Sequence, residues 1–379
     1  MRGTCWPFSC YFAPFSGVMA TKWTAGDSSP VLCLDVGAEG LVASGAEEGA
    51  LTVWNSQGVV IGRLNLGEAD DVNCVSFSHT CASILYASHG EAVSVLDIRS
   101  LKEPTERFHV NEDEINCLSI NETDSYLAAA DDSGSIKVID LASKKVSRSL
   151  RRHSNICSCV TFRPQRPQSL LSCGLDMQVM LWNLQKTRPV WTVNLQDLPH
   201  EEVEEMQQQT GCQLFNPPLA HFITVASCGN IFACGAEDGK IRLFRVTGTS
   251  CQLEHGFRGH SLGVSQVHFL NSLSHPYWLI SGGNDAKVML WDISEQIMTD
   301  CKGPLKSARK KSVGSTAKKR SDYGAKTCKE NKSTPIMPKL SIDHGEKVNW
   351  VSAVDIKGSK SILVADQSCQ ISLYPLTDL

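Results

Sequence analysis

The chain lacks any run of about 18 apolar residues, so no membrane-spanning helix and no membrane partner are expected. It also lacks a C-x-x-C pair and any Cys/His ligand spacing. Its sixteen cysteines therefore show no zinc pattern, and no metal site is expected. It has no nucleophile elbow, P-loop or dinucleotide fingerprint, so neither a catalytic residue nor a cofactor is assigned. The stretch "GAEDGK" (235–240) has the wrong spacing for a phosphate loop, and Asp238-Gly239 reads instead as a hairpin turn between two strand-like runs. Adjacent carboxylates such as Glu47/Glu48 and Asp131/Asp132 fall at equivalent turns and read as turn residues rather than acid/base pairs. These absences point away from an enzyme.

Charge is unevenly distributed. The net charge is only −4, yet residues 302–339 hold twelve Lys/Arg against two Asp/Glu, so the rest of the chain is acidic. Residues 1–17 match nothing downstream, and their two prolines argue against a signal peptide. They are expected to be a disordered extension.

A repeat organises the remainder. A small residue, a tight acidic or Gly turn and alternating apolar residues lead to an aromatic position. Copies read "VASGAEEGALTVWN" (42–55), "LYASHGEAVSVLD" (85–97), "LAAADDSGSIKVID" (127–140) and "LLSCGLDMQVMLWN" (170–183). They continue as "IFACGAEDGKIRLFR" (231–245), "LISGGNDAKVMLWD" (279–292) and "ILVADQSCQISLYP" (362–375). A strand such as "VNCVSF" precedes each, and four of these strands carry a Cys at one position: Cys33, Cys74, Cys117 and Cys159. One equivalent Cys per copy reads as a small buried side chain, reduced, in a cytosolic or nuclear protein. The run "KIRLF" (240–244) alternates as a half-buried strand would. Four-stranded units of this kind cover one another when stacked radially.

The copies resemble WD40 repeats. Seven of them imply an all-β, seven-bladed β-propeller over residues 18–379, interrupted by an acidic loop at 196–216 and a basic insert at 295–338. Two copies carry the family's full buried hydrogen-bond set: His153, Ser172, Asp176 and Trp182 in the fourth, and His260, Ser281, Asp285 and Trp291 in the sixth. An indole, a hydroxyl, an imidazole and a carboxylate can satisfy one another when buried, so both sets read as structural. Other copies are eroded: Glu48, Cys234, Phe244 and Tyr374 stand where Asp, Ser, Trp and Trp belong, and His344 occupies the position of His153 and His260. The chain stops after the third strand of the seventh copy, and "VMATKW" (18–23) has no blade of its own. It is expected to close the ring as the outermost strand of the last blade.

The second copy differs from its sisters. Leu96 takes its aromatic position, Gly90 its turn position, and it ends "LDIR". Segment 84–99, "ILYASHGEAVSVLDIR", resembles the short W-D-x-R box of WD40 substrate receptors of cullin–RING ubiquitin ligases, with Leu96 departing from the Trp. That resemblance implies that Asp97 and Arg99 dock the propeller on the large subunit of the damage-specific DNA-binding adaptor of a cullin-4 RING E3 ligase. Arg99 would offer its planar fork to a partner and be solvated when unbound. A ligase-independent scaffold, or a reader of chromatin or peptides using the narrow face of the ring, is the other reading. In the insert, Arg309, Lys310, Lys311 and Lys318, Lys319, Arg320 form two basic clusters. They suit a nuclear import signal or a simple solvated loop, and a location in nucleus and cytoplasm is expected. Nucleic-acid binding is the weaker reading, since Tyr323 is the insert's lone aromatic.

Overall fold

Seven four-stranded antiparallel sheets contain every named strand of the computed structural model. It describes residues 20–376 apart from 27, 68, 200–215, 272–275, 299–335 and 357. Six sheets use four consecutive strands. Blade 1 runs Val31–Val36, Val42–Ala46, Ala50–Trp54, Val60–Asn65, and blade 2 runs Cys74–Phe77, Ile84–His89, Ala92–Asp97, Glu106–His109. Blades 3 to 6 begin with Ile115–Ile120, Cys159–Arg163, Ala220–Val225 and Val264–Phe269. The first strand of each blade touches the first strand of the next, and the seventh, Val348–Ile356, touches the first strand of blade 1. Contacts of that order close a seven-bladed β-propeller around a central channel.

The last blade is built from both ends of the chain. Its order is Val348–Ile356, Ser359–Asp366, Gln370–Pro375 and then Thr21–Thr24, paired antiparallel from Thr21↔Leu373 to Thr24↔Gln370. Closure thus uses Thr21–Thr24 from the segment expected near 18–23. Trp23 pins this strand. It is 4% exposed, and its ring lies 6.1 Å from that of Trp54 in blade 1. Gly58 makes the close fit possible: its φ is +75°, and a Cβ there would sit 2.4 Å from the Trp23 ring.

Burial is deepest in the second and third strands of a blade and lowest in the outer one. In blade 3 the third strand, Ser135–Asp140, is buried along five of its six residues, whereas the outer strand, Lys145–Arg151, is largely exposed. The run "KIRLF" departs from the expected alternation, because Ile241, Arg242, Leu243 and Phe244 are all buried. A third strand is covered by neighbouring blades on both faces, so it loses the in–out pattern of a one-sided sheet. Cys33, Cys74, Cys117 and Cys159 lie buried on the channel-lining strands as free thiols. Trp350 of blade 7 fills much of the channel, with its ring 5.3 Å from Phe222 and 5.7 Å from His268.

Strand alternation gives the ring two faces. The turns between second and third strands and the links between blades lie on one, here the upper face. The connections after first and third strands lie on the other, the lower face. The start of each insertion is packed. Leu195 is 2% exposed in a short 3-10 turn, Leu195–Asp197. The helix Ser294–Met298 buries Ile297, whose carbonyl accepts the Arg245 Nη2 hydrogen at 2.9 Å. The basic insert therefore starts later than residue 295. Its clusters Arg309–Lys311 and Lys318–Arg320, residues 200–215 of the acidic loop, and the extension 1–17 lie outside the described residues.

Candidate functional site

In blade 4 the four expected polar groups meet. Trp182 Nε1 donates to Ser172 Oγ at 2.8 Å, His153 Nε2 lies 2.8 Å from the same oxygen, and His153 Nδ1 lies 2.9 Å from Asp176 Oδ1. One assignment satisfies every atom: the indole N–H donates to the hydroxyl, the hydroxyl to Nε2, and Nδ1–H to the carboxylate. Asp176 also accepts the amides of Ser154 and Gln178, each at 3.1 Å. Burial pushes its pKa up, but the His153 hydrogen bond and these amides outweigh burial and hold the carboxyl below its ordinary range. Blade 6 repeats the arrangement, with Trp291 Nε1 and His260 Nε2 at 3.0 and 2.8 Å from Ser281 Oγ and His260 Nδ1 at 2.8 Å from Asp285. Although Asp, His and Ser lie in the order of a hydrolytic triad, Ser172 and Ser281 are both 0% exposed. A buried hydroxyl already serving an indole has no route to a substrate. Among the described residues no cluster of His, Cys, Asp and Glu is placed to hold a metal ion. No helix there is long and apolar enough to cross a membrane.

Asp97 and Arg99 stand on the lower face, just past the third strand of blade 2. Arg99 is not simply solvated, as the sequence suggested. Its Nε donates to Asp97 Oδ1 and Oδ2 at 2.9 and 3.2 Å, its Nη2 donates to Oδ2, and its own amide donates to Oδ1 at 3.0 Å. The Arg99 hydrogen bonds hold the Asp97 carboxyl down at about 2. The Arg99 side chain remains 74% exposed, so the pair forms a fixed, outward-facing fork. Leu96 is fully buried in the place of the missing Trp. Beyond the pair, Leu101 packs against Gly62 of blade 1, where a Cβ would meet its Cδ1 at 2.5 Å. On that neighbouring edge Val59 and Ile61 are 54% and 50% exposed.

The family described as "WD domain, G-beta repeat" matches residues 102–140, 144–183 and 251–292. Each matched unit begins within a few residues of the start of one blade's outer strand and ends with the third strand of the next. That is the offset which leaves the last blade one strand short. The chain carries WD40 repeats. This WD40 propeller is 28% identical to the "WD repeat-containing protein 53 homolog" of Dictyostelium discoideum over 370 residues, 93% of each chain. A shorter stretch, 138 residues, is 28% identical to the "U3 small nucleolar RNA-associated protein 15 homolog" of Xenopus laevis, covering 36% of this chain and 22% of that one. WD40 propellers are protein-interaction scaffolds, and the family is generally non-catalytic.

The eroded WD40 blades replace the lost set in different ways. In blade 7, His344 Nδ1 meets the Tyr374 hydroxyl at 2.8 Å and Nε2 meets Asp366 at 2.8 Å, so a phenol stands in for indole and Ser together. In blade 5, Phe244 stacks on Phe232 at 4.8 Å, and the buried Arg242 grips Asp238 at 3.1 and 2.6 Å. Blade 1 keeps only the Trp54-to-Ser44 bond, at 2.9 Å. Blade 3 uses Asn111, whose amide donates to Asp131 at 2.8 Å. Blade 2 places His89 on the second strand itself, with Nε2 2.8 Å from Ser94 Oγ. Sequence reasoning missed His89 because it stands at the end of the second strand, whereas His153 and His260 lie in the links that precede the first strand of their blades. The histidine directly before the "GE" turn was the signal available.

Proposed function

We propose that this scaffold is a substrate receptor of a cullin-4 RING ubiquitin ligase, docking on the ligase's damage-specific DNA-binding adaptor through the loop that carries Asp97 and Arg99. The observation that carries the reading is the fork at Arg99. Of the seven equivalent third-strand ends, this one alone places an Arg two residues after an Asp, and its side chain is held outward and mostly exposed. A guanidinium fixed by its own carboxylate meets a partner's carbonyls or carboxylates with little ordering cost. The exposed Val59 and Ile61 on the adjoining blade supply apolar area beside it. Likeness over 93% of its length to a WD repeat-containing protein 53 homolog is compatible with an adaptor role. A nuclear as well as cytoplasmic location is part of the proposal. It is supported by the partial likeness to a nucleolar-RNA-associated protein and by the basic clusters at 309–320.

Affinity purification of wild type beside Arg99→Ala tests the docking. Loss of a paired interfacial Arg should weaken adaptor binding roughly thirtyfold or more. Arg99→Lys, which keeps the charge but loses the fork, should recover little of it. Undiminished adaptor recovery with Arg99→Ala would leave the protein a ligase-independent scaffold.

A further inference from the structure

Blade 2 carries a second feature, on the face opposite Arg99. An open groove of about 630 Å³ runs across the upper face where blade 1 hands over to blade 2. Five carboxylates line it: Asp70, Asp71, Glu91, Asp113 and Glu114. Three are already engaged. Asp71 accepts the Glu48 amide at 3.0 Å, Glu114 accepts the Asn73 side-chain amide at 2.7 Å, and Asp113 accepts the Glu114 amide at 3.0 Å. The side chains of Asp70 and Glu91 are both exposed and have no partner among the described residues. Asp70 is nevertheless close-held. It packs over Gly90, where a Cβ would meet its carboxylate at 2.8–3.0 Å.

The groove is lined by His89, which is 3% exposed. One ring nitrogen is accounted for by Ser94, while Nδ1 is buried with no partner. Such an orphan atom costs free energy unless something occupies it. Burial and the nearby Arg107 hold the imidazole neutral, so the ring keeps one lone pair. Nδ1 is thus a buried polar atom of the groove wall that the fold leaves unpartnered, beside a run of carboxylates in the lining. Besides His89, the basic groups among the described lining residues are Arg107 and His109.

We infer that this groove binds a lysine or arginine side chain carried by an extended segment of a partner protein. Five carboxylates against one Arg leave the groove with an excess of acceptors and of negative charge, which asks for a cationic ligand rich in N–H. A bare metal ion does not fit, because the acids spread along the groove and do not converge. The site is open rather than enclosed, which suits a side chain presented on a partner's surface segment better than a sequestered small molecule. The groove lies at the start of strand Ala92–Asp97 and Arg99 lies past its end, a separation of roughly 20 Å. One blade can therefore hold an adaptor below and a basic segment above.

The test uses the full chain and fluorescein-labelled, unstructured 12-residue peptides carrying Lys or Arg, each beside its Gln-substituted counterpart. Fluorescence anisotropy should show binding of basic members only, weakened at least tenfold by the paired surface changes Asp70→Asn and Glu91→Gln. Imidazole ¹⁵N spectra should show the His89 Nδ1 resonance move on peptide addition. The assay contains no adaptor, so its outcome is separate from that of ligase docking. Failure of every basic peptide to bind, binding indifferent to Asp70 and Glu91, or an unmoved His89 resonance would each overturn the inference.

Discussion

Truncating Trp23 to Ala tests ring closure at its tightest point. The strand Thr21–Thr24 is four residues long, with four register pairs to its neighbour. Such a strand gains little from its ladder alone, and its hold on the ring rests on one indole. That indole is 4% exposed, faces Trp54 at 6.1 Å and presses on Gly58. A buried Trp→Ala change costs about 3–5 kcal/mol, part of it for the cavity left behind. In a chain of this size that corresponds to a drop in midpoint of roughly 4–6 °C. Thermal melts followed by far-ultraviolet circular dichroism read this without depending on indole fluorescence. Hydrogen exchange over residues 370–375 gives a second readout, since a detached strand exposes the edge of Gln370–Pro375. Trp23→Phe should keep most of the loss from appearing. If Trp23→Ala melted within a degree of wild type with residues 370–375 still protected, closure would not rest on this side chain.

Two further predictions concern stability. Ser172→Ala removes the oxygen shared by His153 and Trp182 and leaves both buried partners open; urea unfolding should show a loss of about 1–3 kcal/mol. Asp35 shifts in the opposite direction from Asp97, Asp176 and Asp285: burial at the channel wall raises it to about 6, although the Phe77 amide donates to it at 2.7 Å. A raised acid contributes stability that is complete below its unfolded value of 3.8 and is lost as pH rises through about 6. Asp35→Asn keeps an acceptor for Phe77 and should be more stable than wild type at pH 7.5, on the order of 2 kcal/mol. That gap should close near pH 4, and an equal gap at both values would refute the cause given.

The blade count, the closing strand and the two four-membered polar sets were legible because each rests on a local pattern repeated in register. His153 and Ser172 lie nineteen residues apart, and His260 and Ser281 twenty-one, so the eye finds the second from the first. The substitutes were not legible. Tyr374 looks like a failed Trp, and nothing in sequence says that its hydroxyl reaches His344. Arg242 reads as the polar side of an alternating strand, yet it is buried on Asp238, because burial here is set by the neighbouring blades and not by the strand itself. The pairing of Arg99 with Asp97 needed the turn geometry that follows residue 97, and the groove at His89 needed two blades side by side.

The way the last blade is assembled also sets an order in time. Thr21–Thr24 is made roughly 350 residues before Gln370–Leu373, its partner. At ordinary synthesis rates that is on the order of twenty seconds to a minute. Through that interval Trp23 waits for the blade it belongs to, and when the sixth sheet is complete at Leu340–Asp343 there is still no seventh to seal the ring. The newborn protein is an open arc with a bare edge at each end, and it is in this state that a chaperone would find it most in need of cover.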